Sequence, residues 1–85
     1  MKWTDFKREI LFYLMENTQI EPGKTITKKE LLKLVQKELN IKYPGMNRDI
    51  GNILRLIYGS DLEITENTYN LIILKGVVFY GGKKY

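Results

Sequence analysis

The apolar positions of this chain keep a helical period through the first two thirds and then switch to short β-rich runs. Trp3, Phe6, Ile10, Tyr13 and Leu14 recur at spacings of three and four, which places them on one helix face behind a Thr4 or Asp5 cap. Leu11, Phe12 and Met15 project from other sides of the same helix, so an apolar surface remains once the first face is buried. Within Asn17 to Lys24, the run Glu21-Pro22-Gly23 is a turn signal that ends the helix and opens a connection. Thr25-Ile26-Thr27 is a short β-prone stretch, and Thr27 precedes Glu30 at the spacing of a capping box, so a second helix starts there. Leu31, Leu32, Val35 and Leu39 form its inner stripe, with Lys29, Lys33, Gln36 and Lys37 opposite, and it ends near Asn40.

Pro and Gly in Ile41-Lys42-Tyr43-Pro44-Gly45 break the pattern again, and Asn47 is a suitable cap for a third helix over 47–58. Ile50, Ile53, Leu54 and Ile57 face inward together with Met46, and Gly59 stops the helix. Its other side carries Arg48, Asn52 and Arg55 with Gly51 beside them, a cationic ridge rich in hydrogen-bonding groups. Beyond Gly59-Ser60 the chain reads as strands over Leu62 to Thr65, Tyr69 to Leu74 and Val77 to Tyr80. Glu66-Asn67-Thr68 and Lys75-Gly76 are the two turn candidates, and the basic Lys75-Gly76 joins the two strongest runs. Residues 81–85 read as a flexible tail on a single domain spanning 1–85.

Composition narrows the chemistry. A chain of 85 residues buries only a little over ~60% of the surface it exposes when unfolded, so a partner subunit would add to its stability. Cysteine and histidine are both absent, which excludes disulfides, thiolate zinc sites and cysteine nucleophiles and removes the commonest general base. No cofactor, metal site or enzymatic activity is expected. Glu30 and Asp49 are explained by a helix cap and a helix N-terminal charge. Asp61, Glu63 and Glu66 read as structural charge, and neither Lys75-Gly76 nor Gly81-Gly82 fits a phosphate loop. The net charge of +4 favours a polyanionic partner, although it also serves solubility. Without an apolar run of membrane-span length or a signal-peptide core, the expected location is the cytoplasm, or the host cytoplasm for a viral protein. Abundant Lys and Glu without Cys lean towards a thermophile.

The order helix, short strand, helix, turn, helix, β-hairpin resembles the winged helix-turn-helix proteins. The segments Thr25-Ile26-Thr27-Lys28-Lys29-Glu30-Leu31-Leu32 and Asn47-Arg48-Asp49-Ile50-Gly51-Asn52-Ile53-Leu54 look like the positioning and recognition helices of small archaeal and viral regulators. The connection from Asn40 to Met46 is longer than the turn of a minimal helix-turn-helix. What the resemblance implies is an α+β winged helix, three helices followed by a β-hairpin or short antiparallel sheet, that binds double-stranded DNA as a transcription regulator.

On that reading, helix 47–58 enters the major groove, where Arg48 and Arg55 suit guanine and Asn52 suits adenine. Asn47 lies at the helix start, and Gly51 leaves room for the backbone to approach. Lys28, Lys29, Lys33, Lys37 and Lys75 are the phosphate candidates, with Lys83-Lys84 similar, and ordinary solubility is the competing explanation for each. Leu11, Phe12 and Met15 are the expected centre of a homodimer interface, unless the C-terminal strands cover them. The rival function is a winged-helix protein-docking module that binds no DNA, which an apolar outer face on the third helix would favour.

Overall fold

Three helices form where the apolar period is three and four: α1 (Trp3–Asn17), α2 (Lys28–Leu39) and α3 (Met46–Tyr58). They are joined to three strands, β1 (Thr18–Thr27), β2 (Glu63–Glu66) and β3 (Ile72–Phe79), in the order α1-β1-α2-α3-β2-β3, with a 3-10 turn at Gly59–Asp61 after α3. The computed structural model describes residues 3–67 and 71–80, except for the side chains of Trp3 and Thr4. The expectations for those two side chains, for Tyr69, for Lys83-Lys84 and for the tail lie outside the described residues. The sheet is antiparallel with β3 in the centre, flanked by β1 and β2. This is an α+β architecture with the layout of a winged helix.

Local chemistry sets the helix ends. Thr27 is extended and its Oγ1 accepts the Glu30 N–H at 3.1 Å, so α2 starts at the expected cap. Asn40 closes α2 in the left-handed region at φ 53°, where asparagine is among the few residues that sit at modest cost. The cap of α3 is Gly45 at φ 86°, not Asn47, which lies inside the first turn. The Pro44-Gly45 turn feeds the helix directly: Asp49 N–H donates to the Gly45 carbonyl at 3.0 Å, and Met46 N–H to that of Tyr43 at 3.2 Å.

Two turn signals have a different outcome from the expected one. The stretch from Thr18 to Lys24 belongs to β1 and is not a free connection. It pairs with β3 through Thr18↔Phe79 to Ile20↔Val77, then again through Thr25↔Lys75 to Thr27↔Ile73. Between Ile20 and Thr25 the register shifts, so Glu21-Pro22-Gly23-Lys24 bulges out opposite Gly76. Proline has no N–H for the ladder, and a bulge is one of the few places a strand tolerates it. Gly76 does take the positive φ of a turn glycine, 84°, but spends it on the bulge. Lys75-Gly76 is therefore mid-strand, and the parts of the two expected runs that lie within Ile72–Phe79 form one strand. The ends of the β2–β3 connection are held together instead: Asn67 N–H donates to the Leu71 carbonyl and Asn67 Oδ1 accepts the Leu71 N–H, each at 3.0 Å.

The core draws on every helix and the central strand. Ile10 and Leu14 from α1, Leu31 and Val35 from α2, Met46, Ile50, Ile53 and Leu54 from α3, and Leu74 and Val77 from β3 are buried in one cluster, joined by Ile41 from the α2–α3 connection. A hydroxyl chain fastens the end of α1 to the end of α3. Thr18 Oγ1 donates to the Leu14 carbonyl at 2.6 Å, which uses its only proton. The 2.5 Å contact with Tyr58 must then be donated by the Tyr58 hydroxyl.

Leu54 and Leu56 provide an internal comparison, since Leu54 is fully buried while Leu56 is 75% exposed on the same helix. Leu54→Ala is expected to cost about 2–5 kcal/mol in urea unfolding. Leu56→Ala is expected to stay within about 0.5 kcal/mol of wild type when unfolding is followed at protein concentrations low enough to keep the chain monomeric.

Candidate nucleic-acid interface

Because α3 buries Met46, Ile50, Ile53 and Leu54, helical geometry forces its remaining positions outward. Asn47, Arg48, Asn52, Arg55 and Leu56 are exposed, and the carboxylate of α3, Asp49, is turned in and only 3% exposed. The ridge read from the sequence therefore exists as a cationic surface without an exposed acid on its own helix. Arg48 reaches back over the turn that starts the helix, with Nη2 3.5 Å from where a Cβ on Gly45 would stand.

Gly51 corrects the expected role. It is buried, and a Cβ there would meet Lys28 Nζ at 2.8 Å and Lys28 Cε at 3.1 Å. The space is taken by a lysine from the start of α2, so it is not left open for a nucleic-acid backbone. Lys28 is half-buried along α3 and its pKa is lowered, first by burial and then by the charge of Arg55. Two cations thus stand near each other with no ion pair to Lys28 among the described residues. Such a pair is unfavourable in isolation, and an anion placed there would relieve it.

The remaining lysines divide into two groups. Lys28 and Lys29 line a cleft of about 280 Å³ with Leu32, Asn47 and the first residues after the β2–β3 loop, Leu71 and Ile72. Lys33 and Lys37 are exposed further along α2. Lys75 belongs elsewhere. It lies in the central strand, 3.7 Å from Glu63 Oε1, and faces a cavity of about 490 Å³ that also includes Asp61, Glu63 and the β1 bulge. It is not in a turn between two strands, as the sequence had suggested.

Asp49 does more than place charge at a helix start. Its Oδ2 accepts the Tyr43 hydroxyl at 2.7 Å, and its Oδ1 is 3.8 Å from Lys7 Nζ on α1. The Tyr43 ring stacks on Phe6 at 5.3 Å. These contacts tie α1, the α2–α3 connection and α3 together and fix the rotation of α3. No feature of the local sequence marks this buried carboxylate, because Lys7, Tyr43 and Asp49 meet only in the folded chain.

A second feature of the α3 surface also escaped the sequence reading. Leu56 stands beside Asn52 and, with Lys7, Arg8, Leu11, Phe12 and Ile53, lines a groove of about 340 Å³ between α1 and α3. Phe12 is 56% and Met15 51% exposed, as expected for uncovered positions on α1. Leu11 is partly buried and packs against the core. The C-terminal strands do not cover Phe12 or Met15.

No protein-family model, curated protein or solved structure matches the chain. Among the described residues, no group of three or more acidic, histidine or cysteine side chains could hold a metal ion. None of their helices is long and apolar enough to cross a membrane.

Burial and the hydrogen bond to Asp49 both hold the Tyr43 phenol well above its ordinary pKa of 10.0. The folded value lies above the unfolded one, so this contribution to stability is complete below about pH 10 and is lost as the pH rises beyond it. Tyr43→Phe is expected to cost about 1–3 kcal/mol at neutral pH by leaving Asp49 short of a donor. The gap from wild type should narrow above pH 10, as read by urea unfolding at neutral and alkaline pH.

Proposed function

We propose that this chain binds duplex DNA with α3 in the major groove and acts as a transcription regulator, repressing by occlusion of the site it covers. The observation that carries the reading is the outer face of α3, where Arg48, Asn52 and Arg55 are exposed, Asn47 stands at the first turn, and the only acid of the helix is buried. An α-helix fits the major groove, where arginine pairs bidentately with guanine and asparagine with adenine. Lys28 on Gly51, next to Arg55, supplies a cation pair in need of a counter-anion, which a backbone phosphate would provide. Lys29, Lys33 and Lys37 extend positive charge along α2. As a homodimer the protein would present two such ridges to the halves of an inverted repeat.

A docking module without DNA binding is the second reading, favoured by Leu56, whose exposure makes part of the outer face of α3 apolar.

The experiment that separates them is a variant series on a duplex site enriched from a random library. Asn52→Ala and Arg55→Ala are expected to weaken the enriched site by about 1–3 kcal/mol each and to relax its sequence preference. Lys29→Ala, Lys33→Ala and Lys37→Ala should weaken all sequences alike and reduce the salt slope by about one unit per lost contact. Gly51→Ala displaces the Lys28 ammonium and should behave as a phosphate-contact loss. Folded Asn52 and Arg55 variants with unchanged affinity and preference would transfer the case to the docking reading.

A further inference from the structure

Three large apolar side chains, Phe12, Met15 and Leu56, stand at least half exposed on the α1 side of the molecule. Phe12 and Leu56 face each other across the groove between α1 and α3, whose floor includes Leu11 and Ile53 and whose rim carries Lys7 and Arg8. Exposed apolar side chains gathered about a groove offer a surface on which an apolar partner can pack.

We propose that this groove takes a second copy of the same chain, whose α1 packs antiparallel across the first with Phe12 at the two-fold axis. Charge order along α1 selects that occupant. An isologous contact must be self-complementary, so each position before the axis meets one after it. Arg8 precedes Phe12 by four residues and Glu16 follows it by four. All three are exposed on α1, and positions four apart share a helix face. Antiparallel pairing about Phe12 therefore sets Arg8 of each copy against Glu16 of the other, two opposite-charge pairs bracketing an apolar centre. A parallel arrangement would place like charges side by side. Each copy's Phe12 then lies over the groove of the other, against Leu11 and Leu56, with Met15 one turn along.

The arrangement deepens the homodimer part of the functional reading and does not depend on the DNA part. It brings the partner against Leu56 and up to Asn52 at the groove edge, while Arg48, Arg55 and Lys28 remain on the side away from it.

The test is sedimentation equilibrium on the full chain without nucleic acid, with far-UV circular dichroism on each variant. Wild type is expected to dimerise at micromolar concentration. Phe12→Glu is expected to raise the dissociation constant by at least roughly a hundredfold, since the side chain is lost from both copies. Leu56→Glu tests the same groove from α3 should Phe12→Glu fail to fold. Arg8→Glu and Glu16→Arg should each weaken the dimer roughly tenfold, because two symmetric pairs become repulsive. The double variant Arg8→Glu/Glu16→Arg should return to within about threefold of wild type, because the pairs re-form with exchanged signs. A monomer at high micromolar concentration would overturn the proposal, as would a dimer indifferent to the Phe12 and Leu56 changes. A double variant no better than its singles would overturn the antiparallel arrangement. Loss of DNA selectivity in a dimer that passes these tests would count against the DNA reading alone.

Discussion

Burial of one apolar stripe on α3 determines the direction of everything else on that helix. Met46, Ile50, Ile53 and Leu54 pack into the cluster formed with Ile10, Leu14, Leu31, Val35, Leu74 and Val77. Once they are inside, the helical period leaves Arg48, Asn52 and Arg55 no direction but outward. The rotation is then fixed by a polar contact at the edge of the core, where Tyr43 and Lys7 hold Asp49 inward. A buried carboxylate tolerates little displacement of its partners, so the polar contact orients α3 more sharply than apolar packing alone.

Helical periodicity made most of this legible before any coordinates. The inner stripes of α1, α2 and α3, the Thr27 cap and the stop at Gly59 are local consequences of spacing and cap chemistry. The sheet was less legible because Gly and Pro report a local backbone need without stating its setting. Gly76 required positive φ, and Glu21-Pro22-Gly23 could not join a ladder, yet both requirements are met by one bulge between paired strands. Strand pairing across some fifty residues is a long-range fact that no window of the sequence contains. The same limit applies at the candidate site. Gly51 beside Arg48 reads as an opening until Lys28, from a different helix, is found lying on it. Leu56 falls outside the inward set of Ile50, Ile53, Leu54 and Ile57, and its place beside a groove becomes visible only once α1 is packed against α3.

The surface of α3 consequently has two characters. Towards the start of α2 it is cationic, with Lys28 lying on Gly51 and feeling the charge of Arg55. Towards α1 it is apolar, with Leu56 over the groove. Asn52 stands at the border. A polyanion and an apolar partner thus meet at Asn52, with Arg48, Arg55 and Lys28 on the polyanion's side and Leu56 on the partner's.

Sequence reading by the outer face of α3 is open to a single measurement, selection from a random duplex library with the wild-type protein. A protein that reads duplex DNA this way enriches a short motif arranged as an inverted repeat. Recovery of duplexes with no common motif, at any salt concentration that retains binding, would rule out the proposed role of that face.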